Sequence, residues 1–441
     1  MNRLQKKTIA ARTLGCKVNA YDTEATLSMF AAAGYTIVDF ERGADVYIVN
    51  TCTVTAVSDR KSRQAIRRTA RTANASNSIV VVMGCYSKNN ADEVRDIEGV
   101  NIVIGMDERD KIVELVENYA GNTDTLAYIS KDGRFLSQLI SFSGTRASIK
   151  VQDGCDNYCA YCIIPHVRGC STSRSPIEIV KEVQNLADHG CKEIVLTGIS
   201  LDSYRFDDTV LSDIIRKVTV IDGVRRIRIS SINPNGVTPA LLAAFKDVPK
   251  LCPHVHLSLQ SGCDKTLRAM NRHYTTEEYR RAVTSLRTVH PDMAVTTDII
   301  VGFPGETDID FEESLAFAKS IGFAAIHTFP FSPRKGTAAA EMPGKVKDSL
   351  KTKRVQEMLT LAERLKIDFI NLNIGKTFPV LYEKQLKTGN YVGYTPNYLE
   401  VYLESDINLQ YQILDTRIIG YSHASPPCKG IICQSNDIEK K

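Results

Sequence analysis

The chain has 441 residues, a length that accommodates two to four domains, with three the natural expectation. Hydrophobic residues make up 43% and charged residues 24%, which is ordinary for a soluble globular protein. No apolar run approaches the length of a membrane span and the first residues lack the apolar core of a signal peptide, so we expect a cytoplasmic protein. Because that compartment is reducing, metal binding explains the twelve cysteines better than disulfides do, whereas the formal charge of +4 decides little.

Strand-like and helix-like patterns alternate over residues 8–118. Such βα alternation predicts a doubly wound parallel sheet. The patterns predict strands at residues 9–14, 35–40, 46–49, 79–83 and 100–104, and helices at residues 22–33, 58–73 and 109–119.

Three of these predicted strands are followed directly by a cysteine: Cys16, Cys52 and Cys85. The carboxyl ends of parallel strands meet at one crevice of an open α/β sheet, so these thiols are expected to converge. A four-iron cluster is held by cysteine thiolates, and three of them leave one iron free for another ligand. The alternative is three buried core cysteines, a common fate of free cysteine.

The segment 60–71 holds six basic residues and no acids. Helical spacing places Arg60, Arg63, Arg67 and Arg71 near one face. A basic face of this kind often has no role beyond contact with solvent. Here the basic segment follows the strand that ends at Cys52, so it is expected to border the crevice. Contact with RNA phosphates is therefore an open hypothesis.

Residues 119–145 are polar and lack periodicity, which predicts a linker. Six further strands then alternate with helices, a pattern that predicts an incomplete relative of the eight-fold barrel, with its site at the carboxyl ends of the strands. The predicted strands are residues 147–152, 193–197, 226–232, 254–260, 294–301 and 324–329, and the predicted helices are residues 176–189, 210–220, 239–245, 276–290 and 311–321.

The loop after the first barrel strand packs Cys155, Cys159 and Cys162 into eight residues, at the spacing C-x3-C-x2-C. Three close thiolates again suit a four-iron cluster with one open iron. The alternative is a zinc site with Cys170 as the fourth ligand. Structural zinc sites usually pair two C-x2-C knuckles, and only one is present here.

The other strand ends carry glycine, serine and glutamine. Glycine lets a ligand approach the backbone closely, and serine or glutamine can bond ribose and carboxylate groups. Tyr161, between two cysteines of the loop, is predicted to lay its ring against an adenine. The predicted cofactor-binding residues are Tyr161, Gly198, Ser230, Gln260 and Gly302.

The last part of the chain reads as a charged helix over residues 346–372 followed by short strands at residues 377–382, 391–394, 399–403 and 413–421. This pattern predicts a small β-barrel of the size used in nucleic-acid binding. Its tyrosines are candidates for base stacking, although about half are equally well explained as core residues: Tyr391, Tyr394, Tyr398 and Tyr402.

The spacing of Cys155, Cys159 and Cys162 resembles that of the radical S-adenosylmethionine (SAM) enzymes. The whole chain resembles the methylthiotransferases of that superfamily, and four motifs are most similar to the subgroup that acts on N6-threonylcarbamoyladenosine in tRNA. Lys17-Val18-Asn19 differs from the Gln-Met-Asn common in the isopentenyladenosine enzymes. The four motifs are residues 13–19, 50–55, 59–64 and 331–337.

The resemblance implies an N-terminal methylthiotransferase domain at residues 6–122, a radical SAM domain at 141–371 and a TRAM-like RNA-binding domain at 374–437. It implies that Cys155, Cys159 and Cys162 hold the radical-generating cluster and that Cys16, Cys52 and Cys85 hold an auxiliary cluster. One SAM would methylate sulfur on the auxiliary cluster, and the 5′-deoxyadenosyl radical from a second would activate carbon 2 of the modified adenosine next to the anticodon, at tRNA position 37.

The implied partners are the tRNA anticodon stem-loop and an electron donor such as a flavodoxin or ferredoxin. Asp202, Arg205 and Asn233 depart from the residues common in relatives around the SAM site. Three alternatives stay open from the sequence: methylthiolation of isopentenyladenosine, methylthiolation of a ribosomal-protein side chain, and a non-catalytic RNA-binding iron–sulfur or zinc protein.

Overall fold

A computed structural model describes residues 7–105, 108–119, 126–128, 144–422 and 426–433. Its sheets form three units: an open parallel sheet, a partial barrel of parallel strands and a closed small barrel. The predicted domain limits at residues 6, 122, 141 and 437 lie outside the described residues, so those limits stay predictions. No helix within the described part of the chain is long and apolar enough to cross a lipid bilayer.

The first unit is a six-stranded parallel sheet in the order β2-β1-β3-β4-β5-β6. Its central strands are almost wholly apolar and buried, as expected for a parallel sheet covered on both faces. In chain order the elements are β1 (Thr8–Thr13), α1 (Lys17–Ala32), β2 (Thr36–Ile37), β3 (Val46–Thr51), α2 (Ala56–Asn74), β4 (Ile79–Gly84), α3 (Cys85–Asn89), α4 (Ala91–Arg95), β5 (Ile102–Ile104), α5 (Ile112–Glu117) and β6 (Leu126–Tyr128).

The second unit has six βα repeats whose strands curve into an incomplete barrel. Strands β7, β10 and β13 pair in parallel, and β14 to β17 pair in parallel beside them. The elements that build the barrel are β7 (Arg146–Lys150), β8 (Gln152–Asp153), α6 (Ile164–Arg168), β9 (Thr172–Ser173), α7 (Pro176–Asp188), β10 (Glu193–Thr197), β11 (Arg205–Phe206), β12 (Thr209–Val210), α8 (Leu211–Thr219), β13 (Arg226–Ile229), β14 (Ser231–Ile232), α9 (Pro239–Asp247), β15 (His254–Leu257), α10 (Asp264–Ala269), α11 (Thr276–Val289), β16 (Ala294–Val301), α12 (Asp308–Ile321) and β17 (Ala325–Pro330).

Local sequence explains why the outer helices begin where they do. Thr275 and Thr307 each cap a helix with the side-chain oxygen, and a carboxylate three residues later bonds back to the cap. This reciprocal arrangement satisfies two backbone donors at each helix start.

Two further helices, α13 (Ala338–Glu341) and α14 (Asp348–Asn371), follow the barrel, and α14 packs along β17. The last unit is a closed five-stranded barrel in the order β18-β19-β20-β22-β21, so the predicted small β-barrel is confirmed. Its strands are β18 (Thr377–Gln385), β19 (Tyr391–Tyr394), β20 (Glu400–Leu403), β21 (Ile413–Tyr421) and β22 (Cys428–Ile432).

The small barrel closes the amino-terminal end of the large one. Its loop 394–398 places backbone carbonyls on guanidinium groups at the strand starts: Arg226 donates to the Tyr394 oxygen at 2.9 Å, and Arg228 donates to the Pro396 oxygen at 2.9 Å. The Tyr398 ring lies 4.6 Å from the His254 ring and 4.5 Å from the Arg228 guanidinium. This loop therefore forms a floor beneath the barrel lumen.

Two of the tyrosines proposed for base stacking are used in this floor. Tyr394 and Tyr398 stack on each other with ring centroids 5.0 Å apart, and Arg146 lies over both rings. Tyr391 is buried in the small-barrel core. The stacking role is therefore wrong for these three residues, because interdomain and core packing already occupies their faces.

Residues 119–145 were predicted to be a linker, but the described part of that interval contains strand β6, which pairs with β5. The fold class is otherwise confirmed: a parallel α/β sheet, a partial barrel and a terminal β-barrel.

Candidate active site

The first trio of cysteines lies at the carboxyl ends of three adjacent strands. Cys16 follows β1, Cys52 follows β3 and Cys85 follows β4. The loops are in contact, because a Cβ atom on Gly15 would lie 2.9 Å from the Cys52 Cβ and 3.1 Å from its Sγ. Asn19 ties two of the strand ends together, donating to the Leu14 oxygen at 2.8 Å and to the Thr51 oxygen at 2.9 Å. The structure thus brings the three predicted thiols together.

Arg168, from the barrel domain, reaches into this group of thiols. One guanidinium nitrogen donates to Asn19 Oδ1 at 2.6 Å, and another donates to both carboxylate oxygens of Asp153 at 2.7 and 2.9 Å. Burial raises the pKa of the Cys85 thiol to about 11, and the positive charge of Arg168 opposes that shift. Arg168 therefore favours the thiolate form that a metal ligand needs.

A buried ionic cluster fixes Arg168 in place. Asp22 of α1 contacts Arg109 at 2.5 Å, Lys150 at 2.6 Å and Arg168 at 3.4 Å. Asp153 adds a second carboxylate to the cluster, at 3.0 Å from Lys150 and 2.7 Å from Arg168. Of the three cations, Arg168 is the one whose positive charge acts on the Cys85 thiol.

The second trio lies on the loop after β7 and β8. Gly154 begins the loop with φ +72°, and a Cβ atom there would lie 2.0 Å from the Cys170 oxygen, so only glycine fits. The Cys155 amide donates to the Gly169 oxygen at 3.1 Å, and the Cys162 amide donates to the Cys159 oxygen at 2.9 Å. These bonds coil the loop. Burial raises the pKa values of Cys155 and Cys162, and the neighbouring thiols of the trio add to both shifts, so the three sulfur atoms lie close together.

Arg272 supplies a cation to this loop. Its guanidinium donates to the Cys159 sulfur at 3.2 Å, to Asn233 Oδ1 at 2.5 Å and to the Tyr274 hydroxyl at 2.9 Å. Burial raises the pKa of the nearby Cys162 thiol to about 12, and the charge of Arg272 lowers it. Arg272 thus favours the thiolate form in the second trio, as Arg168 does in the first.

The two trios are close to one another. Cys85 packs against Ile163 and Val167, which follow Cys162 on the chain. Helix α3, which begins at Cys85, also packs against α6. One short segment of apolar side chains therefore separates the two groups of thiols.

A cavity of about 310 Å³ opens beside the second trio. Part of its wall comes from the first domain, at the residues that follow Cys52, and the rest comes from the cysteine loop and the inner face of β16 and β17. Tyr161 and Gln260, two of the five residues predicted to bind the cofactor, lie on this wall. The lining comprises Val54, Thr55, Tyr161, Cys162, Ile163, Ile164, Gln260, Asp298, Ile300, Phe329, Pro330, Phe331 and Ser332.

The other three predicted cofactor residues lie elsewhere on the rim. Gly198 packs against Gln152, and its amide donates to the Ser230 hydroxyl at 3.3 Å. Gly302 faces α14, because a Cβ atom there would lie 2.2 Å from Lys351 Cγ. The structure brings Tyr161 and Gln260 to the cavity and does not bring Gly198, Ser230 or Gly302 to its wall.

The residues present fit iron–sulfur clusters and a nucleoside cofactor. The Arg168 Nε atom is buried and has no hydrogen-bond partner among the described residues, and Arg168 acts on the Cys85 thiol, so a cluster sulfur held by the first trio would be a suitable acceptor. Beside the second trio, the rings of Tyr161, Phe329 and Phe331 give the cavity an aromatic wall suited to a base. The first site therefore has a free donor for a cluster, and the second has the space for a nucleoside.

The cavity opens to solvent near the junction of the first two domains, at the exposed side chains of Val54 and Phe329, and this opening is called its mouth. Arg334 donates to Thr53 Oγ1 at 2.8 Å and to Asp59 Oδ2 at 2.6 Å, and the Ala56 amide donates to Ser332 Oγ at 3.1 Å. Helix α2 begins there, capped by Thr55. The exposed basic side chains of α2 therefore begin beside the mouth of the cavity.

Sequence reasoning missed Arg168, Arg272 and Arg334. Each acts on residues more than 100 positions away in the chain, so no local pattern marks them. The motif that contains Arg334 was visible, but its partner in the first domain was not.

Two family models match the chain. The Radical SAM superfamily matches residues 149–318, and the family described as Uncharacterized protein family UPF0004 matches residues 8–105. The two matched segments contain the second and the first cysteine trio respectively.

Curated relatives match almost the full length. The threonylcarbamoyladenosine tRNA methylthiotransferase of Bacillus subtilis is 38% identical over 94% of this chain and 95% of its own length. The chain belongs to the tRNA methylthiotransferase family of radical SAM enzymes. The Thermotoga maritima methylthiotransferase of the same name is 38% identical over 89% of this chain and 91% of its own, and a tRNA-2-methylthio-N(6)-dimethylallyladenosine synthase of Syntrophus aciditrophicus is 33% identical over 86% and 85%.

Solved structures share the fold of this chain at low sequence identity. The radical S-adenosylmethionine methyltransferase TsrM of Kitasatospora setae, solved with cobalamin and a [4Fe-4S] cluster bound, aligns with a TM-score of 0.58 and 14% identity over 76% of this chain and 77% of its own. The cobalamin-dependent radical enzyme OxsB aligns with a TM-score of 0.51 over 82% of this chain and 57% of its own.

Proposed function

We propose that this methylthiotransferase inserts a methylthio group at carbon 2 of N6-threonylcarbamoyladenosine in tRNA, at position 37 next to the anticodon. The observation that carries the proposal is the pairing of two cysteine trios beside one cavity, in a chain 38% identical to relatives that bear this name. The second trio supplies the radical site and the first supplies the auxiliary site.

The chemistry requires cofactors that side chains cannot replace. A C–H bond of an aromatic ring is too weakly acidic for a side-chain base, so hydrogen-atom abstraction by a cofactor-derived radical is the route that avoids proton removal. When bound, the two [4Fe-4S] clusters and SAM supply that radical, the methyl group and the sulfur-transfer site.

The chain's own residues hold and orient these groups. Cys155, Cys159 and Cys162 bind one cluster with Arg272 offsetting negative charge, and Tyr161 and Gln260 position the nucleoside part of SAM on the cavity wall. Cys16, Cys52 and Cys85 bind the other, with Arg168 balancing its charge.

The cavity also determines how the substrate base enters. Its mouth lies beside the exposed side chains of Val54 and Phe329, so a base must leave its stack to reach the cluster loop. Phe329 and Phe331 offer faces against which such a base can pack.

Positive charge beside the mouth suits an RNA backbone. Arg60 and Lys61, on the first turns of α2, are exposed, and within the described residues no carboxylate lies at ion-pair distance from them. Arg67 and Arg71, farther along α2, share a groove with Glu93, Asp96 and Glu98, which offsets their charge. Phosphate contact is therefore assigned to the start of α2.

The reaction needs an external electron for each SAM that is cleaved reductively. A small acidic electron carrier such as a flavodoxin or ferredoxin is the proposed donor. Its direct test is reduction of the reconstituted protein by each carrier, followed by measurement of 5′-deoxyadenosine.

Nucleoside analysis of tRNA tests substrate and reaction together. Deleting the gene is expected to remove 2-methylthio-N6-threonylcarbamoyladenosine and to leave N6-threonylcarbamoyladenosine in its place, with restoration by the wild-type gene. Loss of the methylthio group from isopentenyladenosine instead would assign the substrate of the dimethylallyladenosine synthases, and a methylthio group found only on ribosomal protein would overturn a tRNA substrate.

A further inference from the structure

A layer of polar side chains lines the barrel lumen beneath the cavity. Along β15, β16 and β17 the residues Val255, Ile299 and Ile326 pack into the hydrophobic core. Their neighbours His256, Asp298 and His327 therefore point to the opposite side, into the lumen, because strand side chains alternate. Neither the cysteine sites nor the cofactor wall described above uses the two histidines.

These three side chains meet at one point. The His256 Nε2 atom lies 3.5 Å from Asp298 Oδ2, and one potential ligand atom from each of the three residues lies within 4.8 Å of the others. The two imidazole rings stack at 6.1 Å. Two ligand atoms bound at about 2.1 Å to one tetrahedral zinc ion are about 3.4 Å apart, so the separation of His256 and Asp298 already matches shared coordination.

The second nitrogen of His256 is fixed by a neighbouring strand. His256 Nδ1 lies 3.1 Å from Thr296 Oγ1 on β16. When the Nδ1–H donates to that hydroxyl, the lone pair of Nε2 is left facing Asp298. Metal-binding histidines typically have their outer nitrogen held in this way, which sets both the tautomer and the ring orientation.

The negative charge of Asp298 also favours a bound cation. Within the described residues, the only basic side chain at ion-pair distance from its carboxylate is His256. The Asp298 side chain is 34% exposed, which shows that the lumen admits solvent to this point. A carboxylate between two imidazoles, with no lysine or arginine at that distance among the described residues, is a donor set for a transition-metal ion.

We propose that His256, Asp298 and His327 bind one divalent first-row transition-metal ion of the zinc type, separate from both iron–sulfur sites. Three protein ligands leave a fourth position open, as in zinc sites that bind water or substrate. Because Asp298 also lines the cavity beside Cys162, the open fourth position of the metal ion faces that cavity and suits an oxygen ligand.

Metal counting on the cluster-loaded protein tests the site. The full chain is reconstituted anaerobically, treated briefly with a chelator, equilibrated with Zn²⁺ and desalted, so that the cysteine sites are already filled with iron. The expected result is one zinc per chain in addition to the iron. His327→Ala and Asp298→Asn are expected to bind Zn²⁺ at least tenfold more weakly with unchanged iron content, whereas His189→Ala, an exposed histidine at the end of α7, retains it.

Co²⁺ gives a second readout on the unmodified protein, so the test does not depend on a variant that folds. Ligand-field bands of a nitrogen and oxygen site, without thiolate charge transfer, are expected. Absence of zinc beyond the cluster sites, retention of zinc by His327→Ala and Asp298→Asn, or a thiolate-type cobalt spectrum would each overturn the proposal. Neither readout uses tRNA, so failure here is distinct from failure of the proposed activity.

Discussion

Arg272 is the cation that touches a cysteine of the second trio, and its charge has a measurable consequence. Reduction adds negative charge to a cluster, so a guanidinium 3.2 Å from the Cys159 sulfur makes reduction easier. Arg272→Ala is expected to lower the reduction potential of that cluster and to slow 5′-deoxyadenosine formation about tenfold, the lower end of the range for removing a charge-assisted hydrogen bond.

Potentiometric titration followed by electron paramagnetic resonance measures the effect directly. Arg272→Lys keeps the charge and is expected to recover most of the potential. Arg225→Ala, which removes an exposed guanidinium from the same domain, serves as the control. An unchanged potential in Arg272→Ala would show that this hydrogen bond has no electronic role.

Arg168 has the corresponding position beside the first trio but is also part of an interdomain ionic cluster. Arg168→Ala leaves Asp153 and Asn19 without their guanidinium partner and removes the charge that opposes the raised pKa of Cys85. The expected result is loss of the auxiliary cluster, so that about four of about eight irons remain per chain.

Iron counting, 5′-deoxyadenosine and tRNA nucleosides separate the two sites in this variant. 5′-Deoxyadenosine is expected to persist while the methylthio product disappears, and Arg168→Lys is expected to restore part of the iron. Eight irons together with full product in Arg168→Ala would refute the assignment of Arg168 to the auxiliary site.

At the residue scale, the sequence predicted the convergence of the cysteines better than it predicted their surroundings. The convergence of Cys16, Cys52 and Cys85 followed from a general property of parallel sheets, whose strand ends share an edge. The arginines that compensate the thiolate charge were not predictable, because each is brought in by tertiary packing. The bond from Arg168 to Asn19, for example, spans 149 positions.

Helix α2 is the element that we propose contacts the RNA backbone. Arg60→Ala combined with Lys61→Ala is expected to weaken tRNA binding and to reduce the slope of log Kd against log salt by roughly one unit for each phosphate that the protein no longer binds. Alanine favours helix, so α2 itself should be retained. SAM cleavage without tRNA should not change.

Arg71→Ala provides a matched control on the same helix. Arg71 lies at the far end and shares a groove with Glu93, Asp96 and Glu98, so its removal is expected to leave the salt slope nearly unchanged. Equal effects of the two variants would show that the charge of α2 acts only at long range and not at the cavity mouth.

Periodicity located the elements well where hydrophobic runs are long. Residues 193–197, 294–301, 391–394 and 413–421 were predicted as strands, and the structure has the same limits. Helix α1 begins at Lys17 and not at residue 22, because no capping side chain marks its start. Strands β6 and β22 were missed, since they are short and exist through partners distant in the sequence.

At the scale of the whole molecule, the C-terminal barrel packs against the amino-terminal end of the large barrel and closes its lumen there. Tyr398 packs between His254 and Arg228 at the floor of the lumen. Tyr398→Ala is expected to weaken this docking by about 2 kcal/mol, because it removes the aromatic stacking and the cation–π interaction.

Hydrogen exchange measures the weakened docking segment by segment. A single unfolding transition would not report it, because the three units need not unfold together. Faster exchange is expected in β7, β10 and β13 near their amino ends and in the loop 394–398. Tyr402→Ala, a half-buried tyrosine on β20, is the control and should leave the floor protected. Unchanged exchange in Tyr398→Ala would show that the floor is held by backbone hydrogen bonds alone.

The central claim is that two clusters, each held by three cysteines, act at one cavity in different steps: one generates the radical and the other is the site of sulfur transfer. Single-turnover assays of the wild type and of two triple variants with tRNA containing N6-threonylcarbamoyladenosine test it most directly. The wild type is expected to give 5′-deoxyadenosine and the methylthio nucleoside. Replacing Cys16, Cys52 and Cys85 by alanine should leave 5′-deoxyadenosine but no methylthio product, and replacing Cys155, Cys159 and Cys162 should abolish both. Methylthio product from the variant that lacks Cys16, Cys52 and Cys85 would contradict the account.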